Sequence, residues 1–111
     1  MLDSERKLID MARLNGPEAE IRAILSFAPG GQELYEEIFA HYNKRQKIFV
    51  VGNKRIRVRR FIETIMVYVS IRGFESLPSK VREILKPERR DLEMSRKLVR
   101  EAINGPDAYM L

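Results

Sequence analysis

Cysteine is absent from this chain of 111 residues, and histidine occurs once. Without cysteine there is no disulfide, no thiolate nucleophile and no zinc site built on sulfur. A lone histidine also removes any multi-histidine metal site, so neither a metal nor a cofactor is expected. Long apolar runs are missing as well. Charge interrupts every window of about 18 residues, which excludes a spanning helix, and no membrane partner is expected. Met1-Leu2-Asp3-Ser4-Glu5 lacks the basic segment and apolar stretch of a secretory signal, so a cytoplasmic protein is expected. Threonine occurs once, and asparagine and glutamine together 6 times, against 14 arginines and 7 lysines. Heavy charge with few deamidation-prone side chains is the composition of a thermophile's protein.

What the chain does have is apolar residues for one core and a segregated charge. Hydrophobic residues make up 44%, enough for a packed interior, and the length suits a single domain over 1–111. Residues 1–40 carry a net charge of −4, and residues 61–111 a net of +1. Between them, residues 41–60 hold Lys44, Arg45, Lys47, Lys54, Arg55, Arg57, Arg59 and Arg60 with no carboxylate, a net of +8 in a protein whose total is +5. A block of one sign points to an anionic partner, or more plainly to a solvated basic surface.

The periodicity predicts a mainly α protein with one β-hairpin. A first helix runs from about Asp3 to Leu14, capped by Asp3 or Ser4, with Leu8, Ile9, Met11, Ala12 and Leu14 as its apolar side. Asn15-Gly16-Pro17 stops it, and Pro17 opens a second helix whose Ala19, Ile21, Ala23, Ile24, Leu25 and Phe27 face a core. Glu18 and Glu20 suit its positive end. Pro29-Gly30-Gly31 marks a turn, and a third helix is predicted from Gln32 to Gln46, with Leu34, Tyr35, Ile38, Phe39 and Tyr42 inward.

The period then changes from helical to alternating. Lys47–Val51 is rich in β-branched and aromatic residues, and Arg55-Ile56-Arg57-Val58-Arg59 alternates strictly. Gly52-Asn53 suits a two-residue turn with a positive φ at Gly52. That turn pairs Val51 with Lys54, Phe49 with Ile56 and Lys47 with Val58. One face then holds Phe49, Val51, Ile56 and Val58. The other sets Ile48 and Val50 beside Arg55, Arg57 and Arg59.

Helices follow the hairpin over 60–104. One is expected from Arg60 to Arg72, with a buried strand over Ile65–Ile71 as the alternative. A short helix begins at Ser76-Leu77-Pro78 and ends near Leu85. A last one is predicted over 87–104, before a tail at 105–111. Leu92, Val99 and Ile103 form an apolar stripe on it that would serve as the interface of a homodimer.

Three helices followed at once by a hairpin is the element order of the winged helix-turn-helix superfamily, which residues 3–59 resemble. The resemblance implies that helix 32–46 would enter a major groove and that the hairpin, as a wing, would hold backbone or minor groove. Glu33, Glu36 and Glu37 depart from that pattern, because carboxylates repel phosphates. Asn15-Gly16-Pro17 also leaves no room for the short strand usual between the first two helices.

Among candidate sites the row Arg55, Arg57, Arg59 is the sharpest. Strand geometry spaces these guanidiniums by about 6.6 Å, and each offers a fork of donors suited to phosphate oxygens. The alternative is an edge strand that its charges protect from aggregation, and the two readings are compatible. His41 has no nucleophile or orienting acid near it in sequence. Tyr35, Tyr42 and Tyr68 suit either base stacking or the core. Gly30-Gly31 lacks the lysine of a phosphate loop, and Glu36-Glu37 point to different faces.

These residues lead to a non-enzymatic nucleic-acid-binding protein without a small-molecule substrate. It would bind through Lys44, Arg45, Lys47, Lys54, Arg55, Arg57, Arg59 and Arg60, with DNA ranked before RNA. The alternative is a structural or assembly subunit of a larger nucleoprotein or viral complex.

Overall fold

The computed structural model describes residues 1–86. They form α1 (Asp3–Arg13), α2 (Pro17–Ser26), α3 (Gly31–Phe39), β1 (Tyr42–Asn43), β2 (Ile48–Val51), β3 (Lys54–Arg57), α4 (Val58–Arg72) and α5 (Leu77–Ile84). The protein is mainly helical, with one antiparallel sheet in the order β1-β2-β3. The helix expected over 87–104, its stripe of Leu92, Val99 and Ile103, and the tail lie outside the described residues. No helix among the described residues is long and apolar enough to cross a membrane.

Local chemistry sets the helix ends. α1 begins one residue earlier in effect than a side-chain cap at Asp3 or Ser4 requires. Leu2 is its cap, and the Leu2 backbone N–H donates to Glu5 Oε1 at 2.8 Å. Pro17 occupies the first turn of α2, where its missing N–H costs nothing. The α2–α3 turn needs both of its glycines. Gly30 sits at φ 61 as the cap of α3, and a Cβ on Gly31 would lie 1.9 Å from the Leu25 carbonyl oxygen. The two helices therefore meet at backbone contact.

One apolar cluster joins the elements. Ile21, Ile24 and Leu25 of α2, Leu34 and Ile38 of α3, Phe49 and Ile56 of the sheet, Phe61, Ile62, Ile65 and Val69 of α4, and Leu77 and Val81 of α5 are all buried. Phe49 is the hub of the aromatic part, with ring centroids 4.9 Å from Tyr42, 5.7 Å from Phe39 and 4.8 Å from Phe61. The segment Ile65–Ile71 is helical, which settles its alternative reading as a strand.

Two expectations are corrected. The third helix stops at Phe39 and does not reach Gln46. The chain turns there because Tyr42 and Asn43 pair with Phe49 and Ile48, and the Val50 N–H donates to the His41 carbonyl at 2.9 Å. These bonds occupy an edge of β2 that would otherwise be open. Lys44 and Arg45 consequently lie in a loop, closed by the Gln46 N–H on Asn43 Oδ1 at 3.0 Å. On α1, Leu8, Met11 and Leu14 are exposed and only Ile9 enters the core. α1 packs chiefly on α2, so one neighbour covers one narrow side of a helix that has a broader apolar face.

Candidate nucleic-acid interface

The hairpin has the register that its alternation and turn predict. Val51 pairs with Lys54, Val50 with Arg55, Phe49 with Ile56 and Ile48 with Arg57. The Val58 N–H donates to the Lys47 carbonyl at 3.0 Å, which extends the ladder by one rung. Gly52 has φ 60, as a turn with glycine in its first central position requires. Phe49, Val51, Ile56 and Val58 are buried on the inner face. The outer face sets Ile48 and Val50 beside the exposed Arg55 and Arg57. Lys44, Arg45 and Lys47 are exposed in the β1–β2 loop, next to the Arg57 end of the sheet.

Two cations of the block have other tasks. Arg59 does not continue the row of Arg55 and Arg57, because α4 begins at Val58 and the strand period ends. Its Nη1 donates to Glu20 Oε1 at 3.2 Å and to Oε2 at 3.4 Å, and Arg13 Nε approaches Oε1 at 3.9 Å. The Glu20 side chain is only 6% exposed, so this carboxylate ties α1 and α2 to the base of the hairpin. Lys54 is half-buried, and its Nζ donates to the Ile84 carbonyl at 3.3 Å. That carbonyl closes α5, whose C-terminal end is the negative end of the helix dipole.

Three of the remaining cations stand around a concavity. Arg55 and Arg57 of β3, Arg60 and Thr64 of α4 and Ile84 of α5 line a cavity of about 410 Å³, with Lys54 and Ile56. Of the eight basic residues between 41 and 60, only Arg59 makes an ion pair among the described residues. Some cations elsewhere are matched. Arg82 donates to both oxygens of Glu37 at 3.1 Å, Lys80 lies 3.7 Å from Glu83, and Arg22 stacks over the Tyr35 ring at 4.4 Å. The Arg82 guanidinium holds the Glu37 carboxyl below its ordinary value of 4.5, chiefly by hydrogen bonding.

The other singled-out residues have structural settings. Tyr35 packs on Phe39 with centroids 4.3 Å apart, and Tyr42 on Phe39 and Phe49. Burial, and secondarily the charge of Glu18, pushes the Tyr42 phenol above 10.0. The Tyr68 hydroxyl is 2.7 Å from Ser76 Oγ. Glu33, Glu36 and Glu37 are exposed on α3. No group of three or more histidine, aspartate or glutamate side chains among the described residues could hold a metal ion.

Two participants were missed in the sequence. Glu20 had a signal, because it falls four residues before Ile24 on a side of α2 that is otherwise apolar. Ile84 had none, since its part depends on where α5 ends against β3. Searched against protein-family models, curated proteins and solved structures, the chain matches none of them.

Proposed function

We propose that the protein is a non-enzymatic nucleic-acid-binding module, with DNA its first expected partner, that works through the basic hairpin and the start of α4. The carrying observation is a block of eight cations with no carboxylate in its own 20 residues, of which the fold pairs only Arg59 with an acid among the described residues. Arg55, Arg57 and Arg60 stand around one concavity, flanked by Lys44, Arg45 and Lys47. Guanidiniums on a strand face and a helix end read phosphate charge and shape before base identity.

The arrangement is compatible with a winged helix used through its wing. Three helices precede the hairpin, but the short third strand follows α3 and does not lie between α1 and α2. α3 is a poor groove reader, because its exposed face carries Glu33, Glu36 and Glu37, and Arg82 of α5 lies across Glu37. Base readout by α3 is therefore not part of this proposal.

Binding is expected to fall steeply with salt. Neutralising about four to six phosphates implies a log–log slope on the order of −3 to −5. In fluorescence anisotropy, replacing Arg55, Arg57 and Arg60 together by alanine should weaken all sequences alike and flatten that slope by about 2 to 3. An unchanged slope in the triple variant overturns the proposed surface. The exposed Leu8, Met11 and Leu14 favour a second reading, as an assembly subunit of a nucleoprotein complex. Size-exclusion chromatography with and without nuclease separates the two, since a large nuclease-resistant oligomer supports only the second.

A further inference from the structure

The concavity beside β3 does not end at α4. A second one, of about 420 Å³, lies between α4 and α5 and shares Thr64 with the first. Together they form a groove along the exposed side of α4, from Arg60 to Ile71. At 1.5 Å per residue that side is about 16 Å long. Lys54, Arg55, Arg57 and Arg60 line one half and Arg72 and Lys80 the other, and no carboxylate among the described residues lines either half. The groove also offers carbon. Ile56 and Ile84 are in the first half, and Val67 and Ile71, exposed at 60% and 73%, are in the second with the Tyr68 ring.

Resting on the reading above, we propose that the preferred ligand of this groove is a single strand of nucleic acid and not a duplex. Each half is of ligand-pocket size, whereas a duplex needs a wide, open surface. A double helix also hides its base faces in the stack and would set only charged backbone against Val67 and Ile71. An unpaired strand carries both complements at once. Its phosphates meet the cationic rim, and its unstacked bases cover apolar and aromatic side chains. The cations around the groove, of which only Lys80 has a carboxylate beside it among the described residues, select a polyanion, and the exposed carbon between them selects one whose apolar faces are free.

Fluorescence anisotropy with the full chain tests this, using an oligothymidine of about 12 nucleotides and a duplex of the same length. The single strand should bind about tenfold more tightly than the duplex at equal salt. Val67→Asp with Ile71→Asp should weaken the single strand about tenfold and leave the duplex within about twofold. Both positions are exposed, so the fold should persist, and circular dichroism checks it. Lys80→Ala on the facing wall should lower single-strand binding without an apolar change. Leu14→Asp, at an exposed apolar position on α1, should alter neither ligand. Equal or tighter duplex binding overturns the groove assignment and leaves the basic surface standing, as does a Val67/Ile71 variant that binds the single strand normally. Binding of neither ligand overturns the underlying function as well. Preference for anionic vesicles over both oligonucleotides assigns the groove to lipid and also overturns the proposal.

Discussion

The helical body and the hairpin treat the same side chain in opposite ways. In the body, Arg13 and Arg59 converge on the buried Glu20, and Arg82 grips Glu37 through two bonds. On the hairpin, Arg57 stands two residues before Arg59 and makes no ion pair among the described residues. The difference arises from the switch of period at Val58, where a strand that shows one face to solvent becomes a helix whose first turn meets α2. Arginine count alone therefore says little about binding. What matters is which arginines the fold has already matched.

The strongest way to break the contrast is to remove the core that both regions share. Phe49→Ala empties the hub between the sheet, α3 and α4, and should cost about 3–5 kcal/mol in chemical denaturation. The contrast itself is sharpened by comparing Arg59→Ala with Arg57→Ala. The first leaves Glu20 buried with only the distant Arg13 and should cost about 1–3 kcal/mol. The second should change stability by less than about 0.5 kcal/mol and act on nucleic-acid affinity instead. Equal melting temperatures for the two variants would falsify the division of labour. Gly52→Val, at φ 60, should cost about 1–3 kcal/mol through backbone strain, read as a drop in thermal midpoint. The smallest effect belongs to the exposed pair of Arg82 and Glu37. The Glu37 carboxyl is lowered in the folded state, so the pair's contribution is complete above the ordinary glutamate value and is lost as pH falls through the folded one. Glu37→Gln should lower stability slightly at neutral pH, where the pair is complete, and converge on the wild type as pH falls below about 4.5, so that the acid limb of its stability–pH curve is flatter.

The hairpin was legible in the sequence because its signals are local. Alternation assigns faces, and a glycine-first turn sets register, so Phe49 against Ile56 followed from neighbours alone. β1 was hidden. Tyr42 lies three residues after Phe39 and so continues the helical period, yet it reaches the same aromatic cluster from a strand. An apolar residue at that position satisfies both readings, and only the bonds to β2 decide between them. The break at Arg59 was hidden for a different reason, since its partner Glu20 is 39 positions away. α1 shows the third kind of failure. Its apolar residues were visible, but how many of them find a covering neighbour depends on how few elements pack against that helix.

β3 ends at Arg57 and α4 begins at Val58, so strand and helix are joined without a linker. Lys54 fastens the other end of the strand to the close of α5, and Arg59 fastens the junction to α2. The hairpin is thus a braced lever with no hinge at its base. A partner arriving at its outer face meets cations whose spacing is set in advance, and little backbone freedom is lost when it docks. The entropy of arranging that face is a debt settled during folding.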